Sequence, residues 1–359
     1  MKHSTTRKQH PFFPLFEKFV TDSGKGRRLQ PNGNRISEGT IKNYRCTKNL
    51  LQKFCLQKSF ELRIRQERYL NAKETEIERN YWKKFYRRFT DFLYNDLGYF
   101  DNYVGLNIKN LKTFFNYLNK ETFVKVGSFH KHLYVRKDEI AIFPLMPEEL
   151  NFLIYNADFE NSLSKRMKEV KDVFVYGCTV ALRVSDLICL KKSSLRITNG
   201  QYYMVVRSKK TNTDTSIKLP PYCIQIILKY WKYTNGLLPH FNKSNLNKYI
   251  KQLLELAGLT HDVIISRARR GNAIELRNSG NKNRMYRFCD VATTHTMRRT
   301  AITTMLCLGM PEQLVRKISG HAPASKEFYR YMLLAQTYQD QESDKMYEKL
   351  KCKQLILFP

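Results

Sequence analysis

Residues 121–143 interrupt the chain. They carry no sustained helical period, include Gly127 and mix charges, whereas apolar residues recur at helical spacing on either side. Such a break divides 359 residues into two domains, the number that a typical domain of ~150 residues would suggest. The chain therefore reads as a basic arm (1–11), a helical bundle (12–120), a linker (121–143), a mixed domain (144–338) and a C-terminal tail (339–359).

In the bundle, a short amphipathic helix starts at Phe12 and a Gly-rich basic loop covers 23–35. Ser37 caps a helix running to about Leu56, with Ile41, Tyr44, Leu51 and Phe54 on one side. A charged helix from about Asn80 carries Tyr81, Phe85, Phe89, Phe92 and Leu93 on one face, and 107–119 forms another. Beyond the linker, Pro147 sits early in a helix with acids in its first turn, and 172–182 is an apolar helix. Strand-like stretches at 201–207 and 215–219 flank a polar turn and predict a β-hairpin. Helices follow to about Tyr233 and over 245–256. Residues 261–290 read as an irregular or hairpin insertion rich in basic residues. Thr294 caps a helix with the stripe Met297, Ala301, Met305 and Leu308, and Pro311 opens the next helix, which stops at Gly320. The expected fold is mainly α, with a small β-hairpin or sheet in the second domain.

Charge narrows the function. Lys and Arg number 63 against 32 Asp and Glu, a net charge of +31, and self-repulsion on that scale calls for a polyanionic partner. The chain also holds 22 Tyr and 22 Phe, interleaved with the basic residues, so cations can hold phosphates while rings pack on sugars or bases. Eight scattered cysteines form no CxxC pair, which argues against structural zinc and suits a reducing cytoplasm. The basic N-terminus lacks the apolar core of a signal peptide, and no apolar run approaches the ~20 residues of a membrane span. A cytoplasmic, nucleoid-associated protein without a membrane partner is expected.

Five groups then recur in a telling order. Arg183 lies in Leu182-Arg183-Val184-Ser185-Asp186-Leu187. His295 and Arg298 stand three apart near the start of a capped helix, where backbone N–H groups favour an anion. His321 follows Gly320, and Tyr329 and Tyr331 come just behind. Each piece alone is commonplace: a helix-end cation, a structural HxxR, a packed histidine. Together they are the parts for metal-free chemistry on a phosphodiester, because two guanidiniums can fork onto non-bridging oxygens while a phenol attacks phosphorus. No carboxylate cluster for Mg²⁺ accompanies them, and neither metal nor cofactor is expected.

On these residues, taken jointly, the C-terminal ~200 residues resemble the tyrosine recombinase, or phage-type integrase, family. The helical N-terminal part is similar to that family's core-binding domain, and the wording around the motif most resembles integrases of mobile elements in Bacteroides-type bacteria. The resemblance implies a catalytic set of Arg183, Lys210 on the hairpin, His295, Arg298, His321 and Tyr331, with Asp186 in support. Tyr329 and Lys209 stand as alternates, since the spacing from Gly320-His321 straddles the family's usual value and two lysines adjoin. Tyr331 is preferred because Phe328 anchors its helix. Two departures matter: Asp186 replaces the usual Glu, and Ala181 replaces a Gly two places before Arg183. The resemblance further implies double-stranded DNA as partner, a 3′-phosphotyrosine intermediate needing no ATP, a homotetramer on two duplexes, and room for accessory DNA-bending or directionality proteins. The tail, ending Leu355-Ile356-Leu357-Phe358, either passes to a neighbouring subunit or packs on its own domain. The alternatives are a type IB topoisomerase-like nicking-closing enzyme and a catalytically silent DNA-binding regulator on the same scaffold.

Overall fold

A computed structural model describes residues 9–207, 214–234, 236–278, 280, 284–323 and 325–354. The chain forms two compact units, one of residues 1–140 and 266–276, the other of 141–265 and 277–359.

The first unit is helical around an aromatic core. Strand β1 (Gln9–Pro11) leads into α1 (Phe12–Gly24), α2 (Glu38–Lys58) follows, and β2 (Arg63–Arg65) pairs antiparallel with β1. The end of the expected arm is thus in a sheet. Ser37 caps α2 by accepting from the Thr40 amide, as its sequence position implies. Helix α3 (Ala72–Asp91) starts well before Asn80, because Asn71 and Glu74 form a reciprocal cap, and α4 spans Asp101–Glu121. Phe16, Phe54, Phe85, Phe89, Phe114 and Phe115 are fully buried together with Trp82. A buried polar bridge fixes α2 on α4: Thr47 Oγ1 donates to Asn107 Oδ1 at 2.8 Å and accepts from Asn110 Nδ2 at 2.9 Å. The stretch expected as a linker is largely part of this unit, with Val126, His130 and Leu133 buried.

In the second unit, α5 (Pro147–Tyr155) and α6 (Ala157–Ser162) precede α7 (Lys165–Val180), which begins earlier than its apolar stretch because Ser164 caps it. After α8 (Val184–Leu187) comes an antiparallel sheet, β3 (Leu195–Thr198), β4 (Gln201–Arg207) and β5 (Asp214–Lys218), in that order. The β4–β5 hairpin matches the sequence pattern. Strand β3 was not expected: Leu195-Arg196-Ile197-Thr198 alternates apolar and polar residues, but over only four positions, and three of the four are exposed. Helices α9 (Pro221–Tyr230) and α10 (Lys243–Leu256) follow.

Residues 261–290 contain two separate strand pairs. Strand β6 (Asp262–Val263) pairs with a later strand of the second unit, but the hairpin between them, β7 (Ile265–Arg269) and β8 (Asn272–Leu276), belongs to the first unit from residue 266 to 276. Its two-residue turn, Arg270-Gly271, has positive φ at both positions (55° and 87°), the geometry that matches strand twist. The turn is held by the buried carboxylate of Asp101, which accepts from both turn amides at 2.8 Å and from Tyr94 Oη at 2.6 Å. Asp138 accepts from the Ala268 amide at 2.7 Å, and Arg270 reaches Asp91 at 2.6 Å.

The chain returns through β9 (Tyr286–Arg287) and α11 (Phe288–Val291) to α12 (Thr294–Cys307), α13 (Glu312–Ser319) and α14 (Lys326–Gln354). The cap of α12 is Thr293, one residue before the expected Thr294. The expected single stripe is also corrected. Met297, Ala301, Ile302, Thr300, Thr303 and Leu306 are buried, whereas Leu308 is 69% exposed. Helix α12 lies between α7 and α14, so it needs apolar surface on more than one side.

Candidate active site

The second unit assembles the site around the buried guanidinium of Arg298. Thr293 Oγ1 accepts from the His295 amide at 3.2 Å, and Thr296 Oγ1 returns a bond to the Thr293 amide at 3.0 Å, which starts α12 at this point. His295 is exposed in the first turn. Arg298, one turn on, is 8% exposed. Its Nη1 donates to the Ala181 carbonyl at 2.8 Å and its Nη2 to the Ser319 carbonyl at 2.5 Å, so two backbone oxygens from distant parts of the sequence aim it.

Each acceptor exists because a helix ends there. Ala181 stops α7 in the left-handed conformation (φ 53°, ψ 16°), turning its carbonyl toward Arg298 and sending the chain into Arg183. Arg183, half-buried, caps α8, where its carbonyl accepts from the Asp186 and Leu187 amides at 2.8 and 2.9 Å. Asp186 is buried. At the other side Gly320 ends α13 with φ 62°, and the His321 amide bonds back to the Arg316 carbonyl at 3.0 Å. A left-handed C-cap is what glycine provides there, and the turn brings His321 against Arg298: Nε2 lies 3.5 Å from Nη2.

Helix α14 then presents its tyrosines. Phe328 is fully buried and Tyr331, three residues on, shares its face at 8% exposure. Tyr329, turned around the helix, is 58% exposed. The Tyr331 and Phe328 rings lie 6.0 and 5.4 Å from the His321 ring.

The electrostatics couple these groups. Burial first, then the like charge of Arg183, lowers Arg298 to about 10, against the opposing influence of Tyr331 and Asp186. It stays protonated at neutral pH. Burial, then Arg298, Arg183 and Arg316, lowers His321 to about 4. Of the residues singled out in the sequence, Arg183, Asp186, Arg298, His321 and Tyr331 therefore converge. His295 is on the same helix turn as Arg298, Tyr329 points away, and Lys209 and Lys210 lie outside the described residues. The sequence reading missed Ser319 and the Ala181 carbonyl. The signal for the first was Ser319 standing directly before the Gly320-His321 pair.

The sequence profile of the phage integrase family matches residues 145–336. No curated protein sequence matches the chain. Among solved structures, XerH site-specific recombinase bound to palindromic difH substrate in a post-cleavage complex is similar over 94% of this chain and 85% of its own, at 14% identity and TM-score 0.56. A Tn1549 transposon integrase in complex with transposon right end DNA matches 90% of this chain and 93% of its own, at 13% identity and TM-score 0.54. A lambda integrase tetramer bound to a Holliday junction matches 87% and 78%, at 13% identity and TM-score 0.55.

Proposed function

The chain belongs to the phage integrase family and is a site-specific tyrosine recombinase; on that premise we propose that Tyr331 is the nucleophile that joins a DNA strand through a 3′-phosphotyrosine. The observation that carries this reading is the pinned guanidinium of Arg298, set beside Arg183 with Tyr331 and His321 in the same pocket. Burial and the like charge of Arg183 depress Arg298, and a phosphodiester placed against its guanidinium offsets both.

In the proposed reaction, Arg183 and Arg298 neutralise the non-bridging oxygens as the phosphorus becomes pentavalent. A phenol in water loses its proton only near pH ~10, so the attack needs a proton acceptor, and His295 is the candidate base that takes the proton. The Tyr331 oxygen bonds to phosphorus, and the bond to the 5′-oxygen breaks. Lys210, or its neighbour Lys209, is the candidate acid that protonates the leaving oxygen. The ester retains the energy of the broken bond, so a 5′-hydroxyl from a second duplex reverses the step and exchanges strands without ATP or metal. Asp186 supports Arg298 by its charge. The first unit supplies further contact to duplex DNA. Strand exchange uses two duplexes and four such sites, so we assign a homotetramer on DNA, the state in which the similar lambda integrase is bound to a Holliday junction. The tail after residue 338 is the candidate element for exchange between subunits.

The test uses nicked suicide duplexes tiled from the DNA that flanks the coding sequence. A covalent protein–DNA band that forms in EDTA supports the reading. A band that requires a divalent cation, or none on any duplex, overturns it.

A further inference from the structure

Arg316 sits in α13, one turn before Gly320, and no step of the proposed reaction uses it. Its guanidinium is nonetheless held on three sides. Nε donates to Glu312 Oε1 at 2.5 Å, one turn back on the same helix. Nη1 donates to the Ala322 carbonyl at 3.0 Å, just past the turn that ends α13. Cζ lies over the face of the Phe328 ring, 4.0 Å from its centroid.

Phe328 links this guanidinium to the chemistry. It is fully buried, in the same cluster as Ala181, Ala301, Val315 and Tyr331. Its ring lies 6.1 Å from that of Tyr331, three residues on and on the same face of α14. The connection from α13 to α14 is short and is tied by its own backbone: the Ala322 carbonyl also accepts from the Ser325 amide at 3.0 Å, and the Ser325 carbonyl from the Phe328 amide at 3.1 Å. Arg316 therefore grips this connection at both ends, at its entry through the Ala322 carbonyl and at its exit through the face of Phe328. The Glu312 carboxylate fixes the side-chain direction that lets one guanidinium reach both.

We propose that Arg316 is a positioning residue that sets the nucleophile helix, holding Phe328, and through it Tyr331, in register with Arg298. The planar, forked shape of the guanidinium is what this role uses. A lysine carries the same charge but cannot lie flat on a ring while donating sideways to two oxygens. Misplacing a reacting group by about 1 Å costs on the order of 10²-fold in rate, so a small shift of Phe328 reaches the chemistry. The catalytic meaning rests on Tyr331 as the nucleophile, but the grip on α14 is measurable without DNA.

The experiment compares the full chain with Arg316→Lys, Phe328→Leu and the double variant. Without DNA, hydrogen exchange at the amides from Phe328 to Tyr331 should be faster in Arg316→Lys than in wild type, with α7 and α12 unchanged. On the suicide duplex, Arg316→Lys should slow covalent capture at saturating DNA by roughly tenfold and leave the duplex concentration for half-maximal capture within about twofold. The double variant should be no slower than the slower single variant, because both changes act through one contact. A loss seen only in the half-maximal concentration would make Arg316 an ordinary DNA-binding cation and overturn the proposal. So would unchanged exchange, exchange that rises equally throughout the second unit, an unchanged capture rate where the wild type is active, or losses that multiply in the double variant. Faster exchange in Arg316→Lys, where the wild type itself captures no duplex, supports the grip on α14 and counts against the nucleophilic reading instead.

Discussion

Arg298 donates a 2.8 Å hydrogen bond to the carbonyl of Ala181, a residue 117 positions earlier that closes α7 in the left-handed conformation. The cap of one helix is thus the aiming device for the guanidinium of another. Non-glycine residues pay ~1–2 kcal/mol for this backbone, while the buried methyl of Ala181 contributes about 0.8 kcal/mol, so the two nearly cancel. Ala181→Gly should leave the thermal midpoint and the cleavage rate close to wild type. Ala181→Val, whose branched side chain resists φ 53°, should cost about 2 kcal/mol or more in urea unfolding and slow cleavage. Equal behaviour of the two variants would refute the link.

The two tyrosines of α14 should behave as opposites. Tyr331→Phe should lower covalent adduct on a suicide duplex by ~10³-fold or more, because it removes the attacking oxygen, with folding intact. Tyr329→Phe, exposed on the other face, should stay within about twofold. An adduct lost only with Tyr329→Phe would assign the nucleophile wrongly here.

Acid should weaken the second unit through His321. Its pKa falls from the ordinary 6.5 to about 4 on folding, so the unfolded chain binds a proton in that window which the folded chain refuses. The stability contribution is complete above about pH 6.5 and is lost as pH falls through about 4; with His321 partly exposed, about 1–2 kcal/mol is expected. Unfolding midpoints measured across this range should show a shallower decline for His321→Gln than for wild type. Parallel declines would remove His321 as the cause.

The β7–β8 hairpin should come loose when Asp101 loses its charge. Asp101 satisfies three donors with two oxygens, and in Asp101→Asn an amide NH₂ replaces one acceptor. A cost of about 2–4 kcal/mol is expected for these buried, charge-assisted bonds. Hydrogen exchange should rise at the Arg270 and Gly271 amides before it rises in α4. Unchanged protection at the turn would show that Asp101 does not hold it.

Gly177 should tolerate no side chain despite lying inside α7. A Cβ there would meet Met297 Sδ at 2.6 Å, and Met297 Cβ and Leu187 Cδ2 at 3.1 Å. Alanine favours a helix by about 1 kcal/mol, but overpacking against a fixed Cβ costs about 1–3 kcal/mol. Gly177→Ala should therefore destabilise the second unit slightly and, by displacing α12, slow cleavage more than its melting temperature suggests. A stabilised variant with full activity would show that α7 and α12 can separate freely.

Much of this protein is written locally. Ser37 and Asn71 begin helices where short-range hydrogen bonds allow them to, and Gly320 ends one because a left-handed cap favours it. The order of Arg183, His295, Arg298, His321 and the late tyrosines picked out the candidates, because residue type and spacing along a chain suffice to suggest donors and nucleophiles. Other features needed distant partners. Strand β3 has an alternating pattern of only four residues and is fixed by its pairing with β4, and helix α12 has no single stripe because α7 and α14 cover different sides. The hairpin of residues 266–276 joins a unit more than a hundred residues away in sequence through the carboxylates of Asp101, Asp138 and Asp91. Tyr331 was separated from Tyr329 by burial, and Ser319 emerged only from the bond its carbonyl accepts from Arg298. The reason is physical: caps and turns are decided within a few residues, whereas burial, and the direction of a hydrogen bond inside it, depend on which surfaces meet after the chain has closed.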